Sequence, residues 1–452
     1  MGAKRILKDC ESIQHLLHKC KAVTPKSLLQ QFLFLCSMHP SKIKIKDYTY
    51  NLPDERIARY PLAQRDESKL LIYQNGNISE DLYRNIREQL SKDTLLLFNN
   101  TRVIEARMFF EKETGGIIEI FCLEPAADTE LTQAMLSMGK VRWNCLVGGA
   151  AKWKQGLLEK KLLINNDSFS LFAELVEKRS DHFIIEFSWQ PQLTFAEVLH
   201  YAGVLPLPPY LQRKTEAADY ERYQTVYAKQ EGSVAAPTAG LHFTDALLKE
   251  LQQKGIEETY ITLHVGAGTF KPVKSATMQD HDMHKEWMQV SRSTIETILS
   301  YQSKTIIPVG TTSLRTLESL YWMGVKAYHH PAATMDELEI HQWDVYDLHP
   351  GISATEALHA LLNWMDKNES NALICHTQIL IAPGYKIQLA HALITNFHQP
   401  DSTLLLLVAA FVGDDWRKIY DYALAHDFRF LSYGDGSLLW KEPGSSGDKL
   451  KG

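Results

Sequence analysis

Apolar positions recur along this chain in two rhythms. Between about residues 94 and 190 they come as short runs rich in β-branched and aromatic residues: "TLLLF" (94–98), "GIIEIFCL" (116–123), "WNCLV" (143–147) and "HFIIEFSW" (182–189). Such runs, parted by turns, predict a small barrel or curled sheet. From about residue 191 the rhythm lengthens. Thr194 and Glu197 form a capping-box pattern for a helix ending near Gly203. Thr244 opens "DALLKELQQK", which stops at Gly255, and Ser293 and Glu296 open a further helix. "SLRTLESLYWM" predicts a helix ending at Gly324, Ser353 and Glu356 open "SATEALHALLNWM", and "STLLLLVAAFV" follows Asp401. Between these helices lie the strands "TYITLHV" (259–265), "TIIPV" (305–309) and "ALIT" (392–395). Upstream, "KIKIKDYTY" (42–50) alternates strictly and predicts a strand, and "LPDERIARYP" predicts a short helix between prolines.

This order predicts an α/β fold: a large α/β domain with a mostly parallel sheet, interrupted by a small β-barrel domain. The boundaries read as 1–42 for an N-terminal extension, 43–92 with 191–452 for the α/β domain, and 93–190 for the barrel. An irregular insertion spans about 331–368. The extension begins with a stretch that predicts a basic amphipathic helix. A chain of 452 residues exceeds one ordinary core. The net charge of −6 gives no global pull toward nucleic acid, so such a partner needs a local basic patch. The six cysteines show no C-x-x-C, which fits reduced thiols in the cytosol. No apolar run has the roughly 20 residues of a membrane-spanning helix, so no membrane partner is expected.

Candidate chemistry gathers in loops that follow strands, where open α/β sheets bind ligands. "VAAPTAGLHFT" (234–244) is built of small residues around Thr238, Gly240 and His242. "HVGAGTF" offers His264, Gly266, Gly268 and Thr269. It lacks the third glycine of a dinucleotide fingerprint. "VGTTSLRTLE" crowds Thr311, Thr312 and Ser313 at a helix start, with Arg315 and Glu318 one turn on. The amides and dipole there suit an anion or a ribose, although plain N-capping by Thr312 accounts for the string equally well. "TNFHQPDST" adds Asn396 and His398. "DHDMHKE" (280–286) matches no common metal-ligand spacing, so no metal is expected. Four such loops on one domain describe a pocket for a polar, nucleoside-like ligand.

These strings together resemble one family. "YNLPDERIARYPLAQRDESKLL", "FNNTRVIEAR", "LPLPPYLQR", "VAAPTAGLHFT", "TLHVGAGTFKPV", "DHDMHKEW", "VGTTSLRTLES", "LITNFHQPDSTLLLLVAAFVG" and "FRFLSYGDG" are similar to the S-adenosylmethionine:tRNA ribosyltransferase-isomerases of queuosine biosynthesis, over about residues 43–440. The resemblance implies transfer of the ribosyl part of S-adenosylmethionine onto 7-aminomethyl-7-deazaguanine at the wobble position of a tRNA with a GUN anticodon. Adenine and methionine leave and epoxyqueuosine forms. The implied path begins with loss of a 5′-carbon proton acidified by the sulfonium and ends with epoxide closure. S-adenosylmethionine is then a consumed substrate and no cofactor is implied; a cytoplasmic monomer is expected. On the matched positions, His264, His242 or a carboxylate such as Asp435 or Glu318 are the candidates for proton transfer, and Arg315 for the methionine carboxylate. Arg102, Arg107, Lys154 and Arg213 are the candidate tRNA contacts. Where basic residues are expected in "CLVGGAAKWKQG", this chain has Gly148 and Ala151. The competing reading from another class is a catalytically inactive tRNA- or nucleoside-binding protein on the same scaffold.

Overall fold

The computed structural model describes residues 39–441 except 113, 127–128, 154–155, 165–166, 191, 267–272, 274 and 350. Its centre is a five-stranded sheet in the order Thr305–Pro308, Thr94–Asn99, Glu257–Leu263, Glu286–Ser291, Ala372–Thr377. The first three strands are parallel, and Glu286–Ser291 runs against both its neighbours. A second sheet has the order Ala392–Asn396, Gly436–Trp440, Lys69–Gln74, Asn77–Leu82. The two sheets meet at a parallel bridge between Val309 and Ile394. There the Gly310 amide donates to the Ile394 carbonyl at 2.8 Å and the His391 amide to the Ile306 carbonyl at 2.9 Å. The joined sheet is mixed, with a parallel centre and antiparallel flanks, rather than mostly parallel.

The run "TLLLF" is the middle of this sheet and not the first strand of the β-rich block. Leu95 and Leu97 pack with Ile261, Ile306 and Leu314, while Leu96 and Phe98 pack with Phe243, Leu247 and Ile307. A strand covered on both faces has no polar face, so its apolar run is continuous. The β-rich block itself is one seven-stranded sheet, with the two-residue strand Gly203–Val204 at one edge, paired to Arg107–Glu111, and Leu158–Ile164 at the other. Among the described residues its edge strands do not pair with each other, so it is a half-barrel rather than a closed barrel. The helix Phe195–Ala202, expected in the α/β domain, instead packs Phe195, Val198 and Leu199 into the half-barrel's core beside Trp143 and Phe187. Its Thr194–Glu197 capping box is present.

Other elements depart from expectation for local reasons. "KIKIKDYTY" forms two short 3-10 turns, Pro40–Lys42 and Ile45–Asp47, between which Lys44 bridges Thr277. Packing starts before Lys42, since Pro40 is buried and His39 meets the Trp343 ring at 5.1 Å. The rest of the extension, with its amphipathic pattern, lies outside the described residues. The helix expected behind Ser293 begins at Arg292, capped by Ser291, where the preceding strand ends. Among the described residues no helix is long and apolar enough to cross a membrane.

Gly324 does not end its helix, which runs from Thr311 to His329. It is instead the point where the insertion docks. A β-carbon on Gly324 would meet the Ala357 carbonyl oxygen at 2.2 Å, in the helix Ala354–Lys367. Gly324→Ala gains about 1 kcal/mol of helix propensity but forces two backbones apart, an overpacking cost of about 1–3 kcal/mol. Its urea midpoint is expected to fall below that of the wild type; an unchanged or higher midpoint would show that the insertion docks loosely.

Candidate functional site

Three clefts open around the C-terminal end of the strand Glu257–Leu263. The first, open to solvent, lies over the seam between the two sheets. Its walls come from residues 235–239, 310–312, 395–399 and 431–432 together with Val265, so all four loops singled out in the sequence contribute to it. Parallel strands bring this about: Thr305–Pro308 and Ala392–Asn396 end side by side, and their following loops leave on the same edge.

Gly310 has φ 93°, which a side chain rarely adopts, and it opens the 19-residue helix Thr311–His329 without any side-chain cap. Gly310, Thr311 and Thr312 line the cleft. An uncapped helix N-terminus presents amides and positive dipole there, suited to ribose hydroxyls or an anion. Ser313 is not part of this surface, because its hydroxyl donates to the Val309 carbonyl at 2.8 Å. Opposite, Thr238 Oγ1 donates to Asn396 Oδ1 at 2.8 Å. His398 Nε2 lies 2.9 Å from Thr395 Oγ1, and burial lowers its pKa to about 4. Tyr210 and Ser432, joined at 2.6 Å, complete the wall. Sequence reasoning missed this pair; its signals were the proline-fixed "LPPY" and the "LSYGDG" turn, quoted for family likeness but not read as a site.

The second cleft holds Arg315, Glu286, His281 and His284 among Met283, Ile379, Leu404 and Leu407. Arg315 is 4% exposed. Its Nη1 pairs with Glu286 and its Nε donates to the Ile379 carbonyl at 3.2 Å, while Nη2 is buried with no partner among the described residues. That open donor suits a carboxylate. The third cleft lies between the half-barrel, the sheet end and the insertion, with His264, Trp287, Lys285, Glu339 and His376 on its walls. Burial lowers the His264 pKa to about 4, and its Nδ1 has no partner among the described residues. The ring sits 4.7 Å from that of Trp287, in space that Gly232 leaves clear: a β-carbon there would come within 3.0 Å of the imidazole. The clefts adjoin, since Val265 lines the first and third, Gly266 the second and third, and Leu404 the first and second.

Several candidates have structural work instead. Glu318 is fully buried and accepts from Tyr385 Oη at 2.7 Å and from the amides of Gln388, Leu389 and Ala390 at 2.8, 2.9 and 3.2 Å. It pins that loop and does not line the three clefts. Asp435 accepts from Arg429 Nη2 at 2.7 Å and from the Lys69 amide at 3.0 Å, and it too lies outside the clefts. A β-carbon on Gly240 would meet Tyr227 Oη at 1.9 Å, so that glycine makes room for a tyrosine, not for a ligand. Arg213 makes a paired contact with Asp219 at 2.7 Å and donates to the Arg59 carbonyl, which leaves little of it for phosphate. Arg107 lies beside Glu119 at 3.1 Å and over the Phe121 ring, and burial lowers its pKa. Arg102 stays exposed, 3.9 Å from Glu231. Lys154, Gly268 and Thr269 lie outside the described residues. Among the described residues no three His, Cys, Asp or Glu side chains gather as a metal site.

A family model described as "Queuosine biosynthesis protein" matches residues 45–439. Among solved structures, the S-adenosylmethionine tRNA ribosyltransferase of Thermotoga maritima is 27% identical, with 87% of this chain and 99% of that one covered and a TM-score of 0.41.

The buried imidazoles carry a pH signature. His242, His264 and His398 all have pKa values lowered by burial to about 4. Below the unfolded value of about 6.5 the unfolded chain takes up protons that the folded one refuses. Stability is therefore expected to be full above that value and to fall as pH drops toward 4. Urea midpoints that stay flat between pH 7 and 4.5 would contradict this.

Proposed function

The chain belongs to the queuosine biosynthesis protein family, and from that premise we propose that it is an S-adenosylmethionine:tRNA ribosyltransferase-isomerase. On this reading it moves the ribosyl group of S-adenosylmethionine onto the aminomethyl-deazaguanine of a GUN-anticodon tRNA. The observation that carries the reading is the meeting of three chemically different clefts at one strand end. The hydroxyl-lined first cleft, with its helix N-terminus, suits an adenosine. The second joins an apolar wall to the open Nη2 of Arg315 and suits the methionyl arm, with its aliphatic carbons and carboxylate. Leu404, shared by both, then lies near the sulfonium that joins the two halves.

His264 is the proton acceptor of this scheme. Kept neutral by burial, with Nδ1 unengaged among the described residues, it is able to take the acidified 5′-carbon proton without first losing one of its own. The third cleft then receives the aminomethyl base, whose amine must be neutral to attack. The adenine ring departs from the first cleft and methionine from the second. The inactive-binder alternative predicts retained ligand affinity without turnover.

The direct test is adenine release from S-adenosylmethionine in the presence of tRNA carrying the aminomethyl precursor. Release is expected with that tRNA and not with unmodified tRNA; binding of S-adenosylmethionine without release would favour the inactive binder. His264→Ala is expected to slow single-turnover release by ~10²–10⁴-fold, the usual worth of a general base, with much less effect on S-adenosylmethionine affinity. Prolonged chelation is expected to leave turnover unchanged, and rescue of a chelated enzyme by zinc or magnesium would refute that.

A further inference from the structure

His242 stands behind the first cleft rather than in it. It is 3% exposed and stacked on the Tyr83 ring at 4.5 Å. Asn396, which does line the cleft, lies between His242 and Thr238. The Ser68 hydroxyl sets the proton order around His242. Ser68 Oγ donates to the Arg65 carbonyl at 3.1 Å, so toward His242 Nδ1, 3.0 Å away, it accepts. Nδ1 therefore carries the hydrogen, and the other nitrogen of the neutral ring is the acceptor. That nitrogen, Nε2, lies 3.2 Å from Asn396 Nδ2. The carboxamide is thereby oriented: nitrogen toward His242, oxygen toward the Thr238 hydroxyl at 2.8 Å. Arg429, held by Asp435 at 2.7 Å, reaches to 3.5 Å from the same Ser68 oxygen and favours its accepting role.

We propose that His242 is a positioning residue that sets which way round the Asn396 carboxamide faces, so that the first cleft offers its ligand an amide N–H and a carbonyl oxygen in fixed order. An asparagine so held is matched to the paired donor and acceptor edge of an adenine ring; this last step rests on the nucleoside reading of the cleft. The imidazole moves no proton in the reaction. Burial supports this by holding the ring neutral; Asp435 and a hydrogen bond to the Arg65 backbone oppose that shift, and the Arg429 charge reinforces it.

Two substitutions separate positioning from proton transfer. In His242→Gln the side-chain amide reaches the place of Nε2; in His242→Asn it reaches only that of Nδ1. The Gln variant is expected to stay within about threefold of the wild-type KM for S-adenosylmethionine, and the Asn variant to show a KM raised ~3–10-fold, the worth of one hydrogen bond, with kcat little changed in either. Loss of ~10²–10⁴-fold in kcat in both would make His242 a proton carrier, and an unchanged KM in the Asn variant would remove its positioning role; either result overturns the proposal. A second measurement needs no turnover. In Asn396→Asp the carboxylate faces Nε2 as another acceptor, and with Nδ1 keeping its hydrogen for Ser68 the pair is satisfied by protonation of the ring. By NMR, the His242 imidazole is expected not to titrate between pH 5 and 8 in the wild type and to titrate there in Asn396→Asp. Silence in the variant would overturn the proposal. Absence of S-adenosylmethionine binding to the wild type would count against the function proposed above, and the titration would still decide the role of His242.

Discussion

The parallel seam at Val309 and Ile394 is the constraint on which the rest of the site depends. Two sheets of different topology are joined there by a few backbone hydrogen bonds. Because the joined strands run in the same direction, a helix start and a polar loop emerge side by side. The first cleft is the gap between them. Gly310 sits on the seam and serves both sides: its amide closes the sheet, and its left-handed φ turns the chain into the long helix. Any β-carbon there is strained by that conformation, whatever space surrounds it.

Around the seam, buried polar groups hold the loops in place. Glu318 satisfies three backbone amides of one loop through a single carboxylate. Asn99 does similar work where the clefts meet, giving Nδ2 to the Leu263 carbonyl at 2.9 Å and taking the Leu263 amide at 3.1 Å. Ser233 then takes the Val265 amide at 3.1 Å, so the chain leaves its strand toward His264 and Gly266 along a fixed course. Buried donors left without such partners cost about 1–3 kcal/mol each. Among the buried side-chain atoms without a partner among the described residues, Nδ1 of His264, Nη2 of Arg315 and Oη of Tyr223 belong to residues that line the clefts.

The insertion is part of this arrangement. Its helix Ala354–Lys367 packs along the helix whose N-terminus forms the first cleft, and its Asp336 and Glu339 line the third. Glu339 accepts from both the amide and Nδ1 of His376, at 2.9 and 2.8 Å, which binds the insertion to the sheet's edge strand. The segment that looked least regular in the sequence thus braces the site from two sides.

The sequence by itself determined the α/β class, the β-rich interruption and the loops that carry the chemistry, because those features are local. Capping boxes at Thr194 and Ser353, the cap at Thr244 and the stop at Gly255 need only neighbours a few residues away. What tertiary structure alone decided is which side chains face a ligand. Thr238, Thr312, Asn396 and His398 reach the first cleft, whereas Glu318, Asp435, Ser313 and Arg213, equally polar in the sequence, are consumed by partners 4 to more than 300 residues away. Gly240 and Gly324 make the same point for glycine: one makes room for a tyrosine hydroxyl and the other for a helix backbone. A residue type states which bonds a side chain is able to make. Only the packed chain settles which of those bonds are already made, and so which remain for a substrate.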